Sequence, residues 1–190
     1  MVVFEDVNRS SSKRARSGHL AAGAKSGTAP MNETSPDGGP HLDFRNARQE
    51  DNEFTEALYL ETMKPRLINL GAWNEPEVIA NFRRLYKPKE VRIILVDGLD
   101  AGWLQTTERD GLINLIQIHL KEKFRSAGIG SRLIRDLLRD AKSREKSVAL
   151  SVVRNNPALA LYSRFGFKIV SGSGYKIHML WDFRMNDPDR

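Results

Sequence analysis

The chain has 190 residues, 30 Lys and Arg against 24 Asp and Glu, a formal net charge of +6 and no cysteine. That is one ordinary domain with spare length, and it excludes disulfides, thiolate metal sites and a thiol nucleophile. No apolar run approaches the roughly eighteen residues of a membrane span, and no secretory signal opens the chain, so the reading is a soluble, cytoplasmic protein with no membrane partner. The moderate positive charge suits an anionic ligand, and equally a nonspecific attraction to nucleic acid.

Residues 1–41 differ from the rest. A basic, serine-rich run, Arg9 to Arg16, leads into Ala, Gly, Ser and Thr and then into the turn residues Ser35-Pro36-Asp37-Gly38-Gly39-Pro40. Such a composition cannot bury enough apolar surface to offset its ordering entropy, so a disordered N-terminal tail is expected. The basic run reads as a solvated tail or as a nucleic-acid or targeting arm; the first is preferred.

The folded domain is expected over residues 42–190. Leu42 to Arg48 reads as a first strand. A helix follows from about Asp51 through Met63, with Phe54, Leu58 and Thr62 on one side and Pro65 bending or ending it. Asn74 is placed to cap a second helix that has Pro76 in its first turn and runs to about Tyr86, with Val78, Ile79, Phe82 and Leu85 inward. Val91 to Val96 and Gly102 to Gln105 read as strands joined by the hairpin signal Asp97-Gly98-Leu99-Asp100. A turn at Arg109-Asp110-Gly111 leads to the strand Leu112 to Leu120.

Past a short basic loop, Gly128 and Gly130 open an amphipathic helix. Ile129, Leu133, Ile134, Leu137, Leu138 and Ala141 share one face. Strand, glycine loop and helix together make an anion site: unpaired N–H groups point outward, the helix dipole adds positive charge, and glycine lets a phosphate approach the backbone. The stretch therefore reads as a pyrophosphate cradle. It is not the dinucleotide fingerprint, which needs glycine where Leu133 stands, nor the P-loop, which needs Gly-Lys-Ser/Thr where Gly130-Ser131-Arg132 stand.

A second stretch carries the decision. Leu150 to Phe167 runs from a strand into Asn155, then a short helix. Asn156 is suited to the N-cap and Pro157 to the first helical position. Ala158, Leu161 and Phe165 form an apolar face, and Gly166 is placed to end the helix left-handed. Lys168 to Val170 and Tyr175 to Trp181 read as two last strands.

Arg125-Ser126-Ala127-Gly128-Ile129-Gly130 resembles the pattern Arg/Gln-x-x-Gly-x-Gly/Ala of the GNAT superfamily of acyl-CoA N-acyltransferases. Asn155, Ala158, Leu161, Tyr162, Gly166 and Phe167 resemble the signature of the second half of that fold. The resemblance covers residues 42 to 183. It implies an α/β (α+β) fold, with a mixed, mostly antiparallel sheet of about seven strands and about four helices in the order β-α-α-β-β-β-α-β-α-β-β.

The same resemblance implies acetyl-CoA as co-substrate, lying between the fourth and fifth strands, and no metal. Arg125, Ser126, Ala127, Gly128, Ile129, Gly130 and Ser131 would bind its pyrophosphate, mostly through backbone N–H groups. Ile118, His119 and Leu120 would offer backbone groups to the pantetheine arm, and Asn155 would contact that arm. Tyr162 matches the position of the acid that protonates the departing thiolate. A phenol of reference pKa about 10 can serve a thiolate whose conjugate acid is near 8.5 if held close. Each residue has a plainer reading beside it: Asn155 as a turn residue and Tyr162 as a buried ring beside Gly166.

No base stands out. The strand positions where relatives carry Glu look like Asn114 and Ser151, neither of which takes a proton near neutral pH. His119, a base acting through water, and Glu75 are the remaining candidates. The loop also departs from the family, with Glu122 where Pro is common and Ser126 where Gly is common. Trp73 falls where the fold usually builds its acceptor entrance.

The leading expectation is an acetyl-CoA-dependent N-acetyltransferase acting on a small-molecule or peptide amine. The alternatives are an acyl-CoA sensor without catalysis and a nucleic-acid-binding protein driven by the tail. A nucleic-acid partner is not expected; pairing as a homodimer is implied by the resemblance alone.

Overall fold

The computed structural model describes residues 39–185. The expected disordered tail therefore falls largely outside the described residues. Of its last three positions, His41 donates from its backbone N–H to the Asp97 carboxylate at 2.8 Å.

Among the described residues seven strands and four α-helices follow one another. They are β1 (Leu42–Asn46), α1 (Asp51–Asn69), α2 (Glu75–Leu85), β2 (Val91–Val96), β3 (Leu99–Arg109) and β4 (Leu112–Leu120), then α3 (Ile129–Ser143), β5 (Ser147–Val153), α4 (Ala158–Arg164), β6 (Lys168–Ser173) and β7 (Lys176–Trp181). The sheet runs in the order β1-β2-β3-β4-β5-β7-β6. Every neighbouring pair is antiparallel except β4 with β5. This is the expected mixed, mostly antiparallel architecture.

Local chemistry explains most of the boundaries. Asp97 and Gly98 have φ of 50° and 77°, and Asp110 and Gly111 have 51° and 77°. Paired left-handed residues give the tight turns whose twist suits a hairpin, and Asp-Gly supplies them at low cost. Asn74 accepts from the Glu77 N–H with its side chain, capping α2 as expected.

Three boundaries differ from expectation. Pro65 does not end α1, which continues to Asn69. The proline removes one ladder bond at a cost of about 3 kcal/mol in a helix interior. The extra turn buries Leu67 to 3 % exposure, a gain of about 1.5–3 kcal/mol. It then closes on Gly71 (φ 64°), with the Ala72 N–H donating to the Leu67 carbonyl at 2.8 Å. Strand β3 runs longer than Gly102 to Gln105, because the polar residues Thr106 to Arg109 pair with Leu112 to Leu115. Strand β6 extends through Ser173, held by β7 alone at the sheet edge.

Helix α3 buries Ile129, Leu133, Ile134, Leu138 and Ala141 on one face of the sheet. Ile134, Leu138 and Ala141 lie against Ile113, Leu115, Val148 and Leu150, and Ile129 and Leu133 against Ile94, Val96 and Leu104. Leu58, Tyr59, Met63 and Leu67 of α1 and Val78 and Phe82 of α2 pack on Ile93, Trp103 and Val153. Between these layers β4 carries a bulge. Gln105 pairs with Gln117 while Thr106 pairs with Leu115, leaving Ile116 as the extra residue. The bulge resets the alternation of side chains. Leu115 and Ile118 pack with the α3–α4 layer, whereas His119 reaches α1.

Candidate active site

The parallel pairing of β4 with β5 stops early. It joins Leu112–Leu115 to Ser147–Leu150, after which β4 continues to Leu120 and β5 to Val153 without pairing to each other. Beyond Leu115, β4 therefore keeps β3 as its one partner, and the edge toward β5 presents backbone N–H and C=O groups to the gap. A cavity of about 150 Å³ fills this opening. Ile118, His119 and Leu120 line it from β4, Gly130 and Ile134 from α3, and Asn156, Ala158, Leu161 and Tyr162 from the α4 region. Thr62 and Arg66 of α1 and Arg125 complete the wall.

The glycine loop sits at one rim. Ser126 and Gly128 take φ of 62° and 77°, and Gly128 is the cap residue of α3. A side chain at Gly128 would meet no atom within 4 Å, so it is the left-handed backbone rather than lack of space that favours glycine there. Arg125 to Gly128 are exposed, Ile129 is buried, and Gly130 and Ser131 are half-buried in the first turn. The Arg132 N–H already closes on the Gly128 carbonyl at 3.1 Å. The N–H groups of Ile129, Gly130 and Ser131 precede any intrahelical acceptor and are open to an anion. Arg125 itself is engaged, donating from Nε to the Leu120 carbonyl at 2.8 Å and from Nη2 to Glu61 at 2.9 Å. Its side chain thus ties the loop to β4 and α1, and leaves anion contact to the backbone.

At the other rim the two asparagines divide the work. Asn155 is exposed, and its Nδ2 donates to the Arg66 carbonyl at 3.2 Å, fastening the end of α1 to the β5–α4 loop. Asn156 is buried to 4 % exposure. Its Oδ1 accepts from the Ala158 N–H at 2.9 Å, one residue ahead of Pro157, which takes the cap position expected for Asn156, and its Nδ2 is buried with no partner beside the cavity that Asn156 lines. Tyr162 lies inside at 1 % exposure, with its ring edge-on to Phe167. Burial pushes its hydroxyl well above the ordinary phenol range, and the positive charge of Arg66 partly opposes the shift.

His119 is also buried, at 2 % exposure. Its Nδ1 lies 2.6 Å from Thr62 Oγ1 and its Nε2 2.9 Å from Gln117 Oε1, with the ring stacked on Trp103. Burial first, then the charges of Arg66 and Arg125, hold its pKa well below the ordinary value. A neutral ring with both nitrogens occupied is poorly placed to take a proton from an acceptor. Glu75 lies outside the cavity wall, paired with Lys64 at 3.7 Å. Trp73 lines an outer groove with Tyr59, Met63 and Tyr175, and Lys64 stands over its ring. Ser151 lies 2.6 Å from Nδ1 of His178 on β7.

Sequence reasoning did not single out Arg66, which was hidden by ending α1 at Pro65, and read Asn156 only as a cap. Thr62 carried a signal: a hydroxyl on an otherwise apolar helix face needs a partner, and His119 supplies it. Among the described residues no cluster of acidic and histidine side chains could hold a metal ion, and no helix is long and apolar enough to cross a membrane.

Comparison with known proteins agrees with this geometry. The family model of the acetyltransferase (GNAT) domain matches residues 89–169, a span that holds both the glycine loop and the Tyr162 helix. No curated protein matches the chain by sequence. Among solved structures, the PaiA N-acetyltransferase from Thermoplasma acidophilum in complex with coenzyme A is similar, with a TM-score of 0.61 and 18 % identity over 75 % of this chain and 99 % of that one. An N-acetyltransferase from Staphylococcus aureus gives 0.55 and 16 % over 73 % and 100 %. A GNAT-family acetyltransferase from Listeria monocytogenes gives 0.53 and 18 % over 79 % and 99 %. At these identities the structures speak for the fold alone, and the domain model matches less than half of the 190 residues. The fold is that of these acetyltransferases, and residues 89–169 resemble the GNAT domain.

Proposed function

We propose that this protein transfers an acetyl group from acetyl-CoA to a primary amine, on a small molecule or a peptide, by direct attack within a ternary complex. The observation that carries the reading is the parting of β4 from β5 above a left-handed glycine cap, with two buried donors and Tyr162 in one cavity. The residues present fit the co-substrate. The loop from Arg125 to Ser131 offers backbone N–H groups to a diphosphate, and the unpaired edge of Ile118 to Leu120 offers a strand partner to the amide-bearing pantetheine arm. Asn156 Nδ2, with its amide already fixed, is an unused donor for an acceptor atom on that arm, and Asn155 supports it by holding α1 in place.

Acetyl-CoA supplies the acetyl group as an activated thioester. The amine forms the C–N bond as the C–S bond breaks, its surplus proton leaves to solvent, and Tyr162 donates to the sulfur. Burial keeps the phenol protonated across the neutral range, so Tyr162 meets the sulfur as a hydrogen-bond donor. His119 acts as a strut in this reading and takes no proton from the acceptor.

The test is thermal unfolding with and without acetyl-CoA, for the wild type beside Gly128→Glu. Ligand at about a hundred times its dissociation constant adds about 2.7 kcal/mol of stability. Gly128→Glu sets a carboxylate at the phosphate site, strains a left-handed residue and loses the shift. An equal shift in both proteins would refute the cradle; no shift in either would refute the co-substrate.

A further inference from the structure

Arg66 lines the cavity beside Tyr162. It is half-buried in the last turn of α1, and its Nε is buried without a hydrogen-bond partner. Its one described bond runs from Nη1 to the Thr62 carbonyl one turn back. Among the described residues no carboxylate lies within ion-pair distance, since the nearby Glu61 is taken by Arg125. Burial, then the like charge of Arg125, holds its pKa below the ordinary value. A guanidinium nevertheless stays protonated in a protein. A partly desolvated cation with an idle N–H is costly unless an anion arrives to meet it.

The surroundings say where the anion would form. Arg66 shares the cavity with Tyr162, whose hydroxyl feels its charge, and with Asn156, whose Nδ2 is the second buried and idle donor there. Both idle atoms donate and neither can accept, so the side of the cavity that Arg66 and Asn156 line favours a group that gains negative charge. Asn155 holds the Arg66 carbonyl, which keeps the guanidinium from withdrawing with the end of the helix.

We infer that Arg66 is a catalytic residue that stabilises the negative charge left on the coenzyme A sulfur as the thioester breaks. The inference rests on the acetyl-CoA reading above. As the C–N bond forms and the C–S bond breaks, the electron pair remains on sulfur. Arg66 meets that charge beside the Tyr162 hydroxyl, which stays protonated and donates a hydrogen bond to the sulfur, and coenzyme A leaves as the thiolate and takes its proton from solvent. The charged or titratable groups around this point are Arg66 and Glu61 from α1, Arg125 from the loop, neutral His119 from β4 and Tyr162 from α4; Glu61 and Arg125 pair with each other, which leaves the charge of Arg66.

The experiment titrates the thiol of bound coenzyme A, followed by its ultraviolet thiolate absorbance in wild type, Arg66→Met and Arg66→Lys. It needs no acceptor, and a chain without cysteine contributes no thiol signal of its own. In the wild type the bound thiol titrates below the free value of about 8.5. The midpoint rises by at least about one unit in Arg66→Met, the usual reach of a close opposite charge, while Arg66→Lys keeps part of the shift. A wild-type midpoint above that of free coenzyme A overturns the inference whether or not the variants fold. So does a midpoint unchanged by Arg66→Met in protein that still binds coenzyme A. Coenzyme A that fails to bind the wild type overturns the acetyl-CoA reading instead, and the two failures are told apart by the binding isotherm.

Discussion

Nδ1 of His119 on β4 lies 2.6 Å from Oγ1 of Thr62 on α1, so one buried hydrogen bond clamps the helix that carries Arg66 to the strand that edges the cavity. The clamp sets a pH limit. His119 has a folded pKa well below its ordinary 6.5, so the unfolded chain binds a proton that the folded one refuses. Its contribution to stability is complete above about pH 6.5 and falls as the pH drops toward the folded pKa. The slope approaches 1.4 kcal/mol per pH unit for one such proton. Melting temperatures from pH 7 to 5 should fall in the wild type, and the fall should be shallower by that one proton in His119→Gln. Parallel curves would mean that His119 is not the group refusing the proton.

Tyr162→Phe removes the hydroxyl and keeps the ring that packs on Phe167. Turnover should drop by about 100-fold, the low end of what one hydrogen-bond donor to a developing negative charge contributes, while acetyl-CoA affinity changes little. A rate equal to wild type would reduce Tyr162 to a packing residue.

Gly102 lies across the hairpin from the cavity strand. A Cβ built on it would sit 2.1 Å from the His119 carbonyl oxygen and 3.0 Å from the Leu120 Cα. Both are backbone atoms that no rotamer change can move. Gly102→Ala should therefore cost about 3 kcal/mol, at the upper end of overpacking, by prising β3 from β4 where the pantetheine edge begins. Denaturant unfolding reads the loss directly. A midpoint within experimental error of the wild type would show that the strands have room to separate.

The elements with strong periodicity were readable in the chain: α3 from its apolar spacing, and the hairpins from Asp97-Gly98 and Asp110-Gly111. The start of α3 was readable too, because Gly128 and Gly130 open the helical spacing that begins at Ile129. Three things were hidden, each for a physical reason. The length of α1 depends on Leu67 reaching the core, a tertiary gain that offsets much of the local cost of Pro65. The bulge at Ile116 leaves no mark in an apolar strand, yet it decides that His119 turns to α1 and Ile118 to α3. The two adjacent asparagines look alike in sequence, and only the fold sends Asn155 to the Arg66 carbonyl and Asn156 into the cavity.

The loop itself yields a prediction with a built-in control. Ser126 holds φ of 62°, which costs a residue with a Cβ about 1–2 kcal/mol, whereas Ala127 is not among the residues with positive φ. Glycine at either place adds about 0.5–1 kcal/mol of unfolded-chain entropy. At Ser126 the relieved strain more than offsets that entropy, so Ser126→Gly should be neutral or stabilising by up to about 1 kcal/mol. Ala127→Gly relieves nothing and should lose about 0.5–1 kcal/mol. Paired thermal unfolding of the two variants checks the ordering. If Ser126→Gly lost as much as Ala127→Gly, the left-handed turn before Gly128 would be unstrained, and serine there would be as well suited to the loop as glycine.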